Sequence, residues 1–170
     1  MDNIFENKLG LVLPGGGARG AYQVGVLKAI SEILPDSSKN PFPIMSGTSV
    51  GAINAALLAA ESESYVNGVI KLNNTWGSFS SNRIYKTNPM SLFLSSLHWL
   101  LTLITAGILV KNPKSLLNND PLQRMLIEAV DFEGIQSNID KKNIEALAVT
   151  CASYSKRSTS TFVQSNNSNL

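Results

Sequence analysis

The chain has 170 residues, enough for one domain with a hydrophobic core or for a large part of a bigger domain. Charged residues make up 15% of it, against about 25% in an average globular domain, so part of its surface is expected to be covered by a partner or to face a membrane. A net charge of +2, with Lys and Arg scattered along the chain, argues against a protein that binds nucleic acid.

The first eight residues, MDNIFENK, contain neither a basic n-region nor an apolar h-region. This predicts that there is no Sec signal peptide and that the protein is cytoplasmic or a peripheral membrane protein, with a secretion signal of another kind left open. The single cysteine, Cys151, excludes an intrachain disulfide framework and a cysteine-based zinc site, and its apolar neighbours predict a buried structural thiol. No cluster of His, Cys and carboxylate residues suggests a metal, and we expect no cofactor.

Strands and helices alternate along most of the chain. Short apolar or β-branched runs predict strands at residues 8–14, 42–46, 144–152 and 157–164. Helical patterns predict helices at residues 19–34, 49–61, 64–76 and 120–130. The alternation predicts an α/β fold with a mostly parallel central sheet flanked by helices.

Particular residues define the predicted helices further. The helix at 19–34 has an apolar stripe formed by Tyr22, Val26, Ala29 and Ile33 and broadened by Val24 and Leu27. Asp120, followed by Pro121, is predicted to be the N-cap of the helix at 120–130. Asp131 and Asp140 lie in charged stretches and are predicted to be solvated loop residues.

Residues 92–110 interrupt the alternation, because they carry no formal charge and are long enough to span a membrane. The polar residues in and beside them would form one narrow stripe on a helix: Ser91, Ser95, His98, Thr102 and Thr105. A true span would split an α/β domain. We therefore interpret residues 88–112 as a cap or membrane-contact helix, with an ordinary core helix as the alternative.

The glycine-rich stretch between the first strand and the first helix fits a dinucleotide-binding template. Gly15, Gly17 and Gly20 satisfy G-x-G-x-x-G. That template also needs an acidic residue at the end of the second strand to hold the ribose. Asp36 lies instead in the loop before that strand, which disfavours dinucleotide binding.

The second strand is followed by the sequence Gly47-Thr48-Ser49-Val50-Gly51, which matches G-x-S-x-G. A sharp strand-to-helix turn leaves no room for side chains two positions either side of the serine, so both positions need glycine. The hydroxyl then stands at a helix N-terminus, where the helix dipole favours developing negative charge. This pattern predicts Ser49 as a nucleophile, with an accidental serine in a packing turn as the alternative.

A serine nucleophile acting on an ester needs N–H donors directed at the oxyanion. Val50 would supply one donor, and the three glycines 15–17 could supply others without side chains in the way. The glycine-rich stretch is therefore predicted to bind a transient oxyanion. The only histidine, His98, cannot complete the chain order Ser…Asp…His of α/β-hydrolases, which disfavours a Ser-His-Asp triad.

The segments GGGARGAYQVGVL and GTSVGAINAA closely resemble the patatin-like phospholipase family, most densely over residues 8–60. The resemblance implies a lipid acyl hydrolase of phospholipase A or lysophospholipase type that acts on phospholipid or lysophospholipid at a membrane surface. It implies these site residues: Ser49 as nucleophile, Gly15, Gly16, Gly17 and Val50 as oxyanion hole, Arg19 and Gly20 as loop support, and Gly47 and Gly51 in the elbow. For Arg19, pairing with a local acid at the start of the helix is an equal alternative.

The same family uses a Ser-Asp dyad whose aspartate stands in a D-G-G or D-G-A turn. None of the five aspartates of this sequence precedes a glycine: Asp2, Asp36, Asp120, Asp131 and Asp140. We therefore expect residues 1–170 to be a single partial patatin-like domain, incomplete at its C-terminal end, that lacks the catalytic aspartate. The alternative is a non-catalytic lipid-binding or interaction module that keeps the elbow only as architecture.

Overall fold

The computed structural model describes residues 9–35, 38–78, 120–153 and 157–166. In chain order its elements are β1 (Gly10–Leu13), a 3₁₀ turn (Gly17–Arg19), α1 (Gly20–Ile33), β2 (Ile44–Thr48), α2 (Val50–Ala60), α3 (Tyr65–Gly77), α4 (Asp120–Ala129), α5 (Phe132–Asp140), β3 (Ala146–Ser153) and β4 (Ser158–Ser165). The predicted helix at 88–112, with His98, lies outside the described residues, as do Asp2 and Asp36.

The chain divides into two compact units. One unit comprises residues 1–77 and 129–170, and the other comprises residues 78–128. Helix α4 belongs to the second unit except for its last residue, and every other described element belongs to the first unit. Within the described ranges, none of the helices has both the length and the apolar character needed to cross a membrane.

The four described strands form one sheet in the order β1-β2-β3-β4. Strands β1, β2 and β3 are parallel, and β4 pairs antiparallel with β3. Leu13, the last residue of β1, lies opposite Gly47, which precedes the last residue of β2, Thr48. Strands β1 and β2 therefore end at the same edge of the sheet, where Thr48 lies opposite Thr150 of β3. The predicted α/β fold with a mostly parallel sheet flanked by helices is therefore confirmed.

Helix α2 lies at the centre of the first unit, as its run of small residues allows. Nine of its eleven residues are buried, and it packs against the sheet and against α1, α3 and α5. Leu57 and Leu58 are completely buried, while alanines on the same helix let the neighbouring elements approach closely. This position fixes the N-terminus of α2 firmly at the carboxyl edge of the sheet.

Helix α1 buries only part of the predicted apolar stripe. Its buried residues are Gly20, Val24 and Leu27, at the i, i+4, i+7 spacing of one helix face. Tyr22 and Ile33, which the sequence analysis placed in the stripe, are 77% and 80% exposed. The prediction was right for Val24 and Leu27 and wrong for Tyr22 and Ile33. Two apolar faces overlap on this helix, and the face that begins at Gly20 is the one that packs against α2 and α3.

Strand β2 begins at Ile44, two residues later than predicted. Pro41 and Pro43 have no N–H group to donate to a neighbouring strand, so they precede the regular ladder. Strand β3 also differs from expectation in leaving Cys151 exposed. It extends past Thr150, where its register with β2 ends, so the predicted burial of this thiol was wrong.

Helix α5 was not predicted, and two aspartates that were expected in solvated loops lie at its two ends. Asp131 is its N-cap and accepts a hydrogen bond from the N–H of Gly134 (3.0 Å), while Asp140 is its last residue. Asn138 on the buried face donates to the carbonyl oxygens of Ala59 (3.2 Å) and Ala60 (2.9 Å). These carbonyls belong to the last turn of α2, where carbonyl groups lack partners within the helix, so Asn138 ties α5 to the end of α2.

Candidate active site

Ser49 occupies a sharp turn at the carboxyl edge of the sheet. It is the single residue between the end of β2 and the start of α2, with φ 54° and ψ −125°. A residue with a side chain pays about 1–3 kcal/mol to hold such a backbone conformation, and such strain is concentrated at functional sites. The side chain is exposed and does not cap α2, so the hydroxyl is presented at the N-terminus of a buried helix.

The two glycines that flank this turn lie where one backbone segment passes directly over another. A Cβ atom at Gly47 would overlap the carbonyl group of Gly51 in the first turn of α2. A Cβ atom at Gly51 would overlap the carbonyl group of Leu13 and lie 2.7 Å from the carbonyl oxygen of Pro14. The turn therefore packs against the end of β1 at distances that no other residue type allows.

The glycine-rich loop lies beside Ser49 because β1 and β2 are parallel neighbours. A Cβ atom built at Gly15 would lie 3.2 Å from Cβ and 3.9 Å from Oγ of Ser49. Gly17 has φ 56°, in the left-handed region that favours glycine, and it begins the 3₁₀ turn. The N–H of Arg19 closes this turn on the carbonyl oxygen of Gly16 (3.1 Å).

The remaining predicted site residues lie immediately around this loop. Val50, the first residue of α2, is 9% exposed, and its Cγ2 lies 2.6 Å from the position of a Cβ atom at Gly20. Arg19 is exposed, and its Cβ lies 3.3 Å from the position of a Cβ atom at Gly16, so its aliphatic stem covers that glycine. Among the acids in the described ranges, none forms an ion pair with Arg19.

A buried hydrogen-bond network behind the loop was not foreseen from the sequence. Asn54 on α2 is completely buried, and its Oδ1 accepts a hydrogen bond from Nε1 of Trp76 (2.8 Å). Its Nδ2 donates to the carbonyl oxygen of Gly20 (3.2 Å) and to Oε1 of Gln23 (2.9 Å). Nε2 of Gln23 donates in turn to the carbonyl oxygen of Pro14 (2.7 Å). The only signal in the sequence was one amide residue in an otherwise apolar helix.

Asp131 lies far from Ser49. A Cβ atom at Gly134 would lie 2.8 Å from Oδ2 of Asp131 and 3.0 Å from the carbonyl oxygen of Ala60, the last residue of α2. Ser49 precedes the first residue of the same helix, which has 11 residues and is therefore about 16 Å long. Asp131 is thus separated from Ser49 by roughly the length of α2.

Asp140 also lies at the opposite edge of the sheet from Ser49. It precedes β3, which begins opposite Ile44, the first residue of β2, whereas Ser49 follows the last. Five residues of strand separate the two edges, or about 16 Å. Hydrogen bonds from the side chains of Asn166 and Gln136 lower the pKa of Asp140. Neither aspartate of α5 can therefore act as a base for Ser49.

The arrangement as a whole suits attack on a carbonyl group. It combines an exposed hydroxyl, the N-terminus of a buried helix, and a glycine-rich loop that lies beside that hydroxyl. In the described part of the chain, no group of three His, Cys, Asp or Glu residues is placed to hold a metal ion. The chemistry open to these residues is nucleophilic attack by the serine, given a base.

The chain resembles a known protein family and named proteins of other organisms. The family model described as patatin-like phospholipase matches residues 11–170. The lysophospholipase nte1 of Aspergillus terreus is 51% identical over 55 residues, which make up 32% of this chain and 3% of that protein. No solved structure matches the chain significantly.

Two animal proteins match over a stretch of the same length. Patatin-like phospholipase domain-containing protein 7 of Rattus norvegicus is 49% identical over 55 residues, 32% of this chain and 4% of that protein. Neuropathy target esterase sws of Drosophila persimilis is 47% identical over 55 residues, 32% of this chain and 3% of that protein. The chain thus matches only a small part of each of these much longer relatives.

Proposed function

This chain belongs to the patatin-like phospholipase family, and we propose that the protein hydrolyses ester-linked acyl chains of phospholipids or lysophospholipids with Ser49 as the nucleophile. A lipid hydrolase is the function supported at the level of the family, and the names of the relatives agree with it. The observation that carries the more specific proposal is the exposed Ser49 hydroxyl on a strained turn, next to Gly15.

In the proposed reaction, Oγ of Ser49 attacks the ester carbonyl carbon while its proton passes to a base. The carbonyl oxygen becomes an oxyanion and accepts hydrogen bonds from the N–H groups of Val50 and of glycines 15–17. The tetrahedral intermediate expels the alcohol of the lipid, which takes the proton from the base, and leaves an acyl-serine. Water then hydrolyses the acyl-serine with the help of the same base and releases the fatty acid.

The base in this proposal is an aspartate in an Asp-Gly turn, as the family resemblance implies. The proposal places it in a part of the protein beyond these 170 residues, because no aspartate of the sequence precedes a glycine. The position of both aspartates of α5 at the opposite edge of the sheet supports this assignment. The 170 residues then contribute the nucleophile and the oxyanion hole of a larger catalytic domain.

The proposed substrate resides in a bilayer, so the protein must meet a membrane surface. The low fraction of charged residues, 15%, and the uncharged run 92–110 support this part of the proposal. The run is proposed to act as a cap over the acyl chain or to rest on the bilayer.

Fatty-acid release from lipid vesicles tests the proposal. The complete natural protein and its Ser49→Ala variant are incubated with vesicles of phosphatidylcholine and, separately, with lysophosphatidylcholine micelles, and the fatty acid is measured by mass spectrometry. We expect Ser49→Ala to reduce release at least about 10³-fold, because the acyl-serine cannot form. Ser31→Ala, which changes a serine on α1, serves as the control and is expected to retain full activity.

Two outcomes would contradict the proposal. Equal release by the wild-type protein and Ser49→Ala would remove this serine from the mechanism. Vesicle binding by the complete protein without any fatty-acid release would instead favour a non-catalytic lipid-binding module.

A further inference from the structure

A directional chain of hydrogen bonds runs from α3 through α2 and α1 to the glycine-rich loop. The indole of Trp76 can only donate, so it must face the acceptor atom of the Asn54 amide. The carbonyl of Pro14 can only accept, so it must face the donor atom of the Gln23 amide. Asn54 therefore donates to Gln23, and Gln23 donates to Pro14, with both amides held in one orientation.

The last acceptor in this series of hydrogen bonds shares a peptide plane with one of the N–H groups proposed to bind the oxyanion. No cis peptide bond occurs in the described part of the chain, and in a trans peptide the C=O and the following N–H point in opposite directions. The carbonyl of Pro14 and the N–H of Gly15 belong to one such unit. By holding the carbonyl at 2.7 Å, Gln23 also sets the direction of the Gly15 N–H.

This constraint matters because the loop is intrinsically soft. A Cβ atom at Gly15 would lie 3.2 Å from Cβ of Ser49, closer than ordinary van der Waals contact, so the lack of a side chain at Gly15 allows the loop to lie this close to Ser49. The same lack of a side chain leaves the backbone of Gly15 with little steric restriction of its own. A donor stabilises an oxyanion best when it does not have to reorient during the reaction, so the loop needs a constraint from outside.

We propose that Gln23, held by Asn54, is a positioning residue that orients the oxyanion donor of the glycine-rich loop. The inference rests on the proposed function, since the direction of this N–H affects the rate only if an oxyanion forms there. Gln23 acts through the Pro14–Gly15 peptide and not on the substrate. Its half-buried position on α1 means that its replacement leaves the hydrophobic core intact.

Two replacements separate positioning from folding. Gln23→Glu keeps an acceptor for Nδ2 of Asn54 but removes the donor to Pro14, whereas Gln23→Leu removes both. In the complete protein, we expect both variants to lower kcat by about 10–100-fold with KM within about twofold, since the donor acts mainly in the transition state. Gln136→Leu changes an exposed glutamine on α5 and is expected to leave kcat and KM unchanged.

Two further readouts check that the loop itself is affected. The rate at which a fluorophosphonate labels Ser49 should fall by a similar factor, because its phosphoryl oxygen uses the same donors. Amide hydrogen exchange in residues 15–17 should become faster in Gln23→Glu, while its thermal midpoint stays within a few degrees of the wild-type value.

The inference is overturned if both Gln23 variants retain the wild-type kcat, or if they lose activity only in proportion to the loss of folded protein. That result, obtained with an active wild-type protein, leaves the proposed function standing. A wild-type protein that neither hydrolyses lipid nor reacts with the fluorophosphonate overturns the proposed function and this inference together.

Discussion

Gly51→Ala is expected to abolish hydrolysis and to lower the free energy of unfolding by about 3 kcal/mol. The added methyl group would overlap the carbonyl group of Leu13 and press against the carbonyl oxygen of Pro14. Both are backbone atoms at the end of β1, so neither can turn away as a flexible side chain would. Relief of the overlap must push the glycine-rich loop away from Ser49, and activity and stability should therefore fall together.

Chemical denaturation and fatty-acid release measure the two effects of Gly51→Ala. Gly25→Ala is the matched control, because a Cβ atom at Gly25 meets nothing within 4 Å and the residue lies inside α1. Alanine is favoured over glycine in a helix by about 0.5–1 kcal/mol, so this control should be slightly more stable and fully active. A Gly51→Ala protein with normal stability and activity would show that the loop does not pack on α2 as described.

Ser49→Gly is expected to stabilise the fold by about 1 kcal/mol and to abolish hydrolysis. The backbone of Ser49 has φ 54°, at a cost of roughly 1–3 kcal/mol that glycine would avoid. Glycine also gains freedom in the unfolded chain, which removes about 0.5–1 kcal/mol of this benefit. A gain in stability on loss of activity is the expected signature of a strained functional residue.

Ser49→Ala distinguishes the effect of the backbone strain on stability from the effect of losing the hydroxyl group. Alanine keeps the Cβ atom and therefore the strain, so this variant should be inactive without becoming more stable. Thermal unfolding of the two variants beside the wild type provides the comparison. If Ser49→Gly is no more stable than Ser49→Ala, the turn is not strained in the way that its backbone angles indicate.

Most of the fold could be predicted from local patterns in the sequence. Short apolar or β-branched runs marked the strands, and the alternation of strands with helices predicted a mostly parallel sheet. Which part of the apolar stripe of α1 is buried could not be predicted, because that depends on contacts with α2 and α3 and not on the helix itself. Helix α5 was missed although Asp131 at its N-cap and the apolar pair Ile135 and Ile139 were signals for it.

The candidate site also has a part that could be predicted from the sequence and a part that could not. The motifs around Gly15 and Ser49 are local, and the parallel pairing of β1 with β2 was enough to expect them side by side. The network of Asn54 could not be predicted, because its partner Gln23 is 31 residues away and Trp76 is 22 residues away. Such partners are fixed only when three helices pack together, and a single sequence does not indicate which amide meets which carbonyl.

The most direct test of Ser49 as the nucleophile is to treat the complete natural protein with a fluorophosphonate probe and to map the modified peptide by mass spectrometry. We expect one stoichiometric adduct on Ser49 and none on the Ser49→Ala variant under the same conditions. Equal labelling of the two proteins, or an adduct only on another residue, would contradict this expectation.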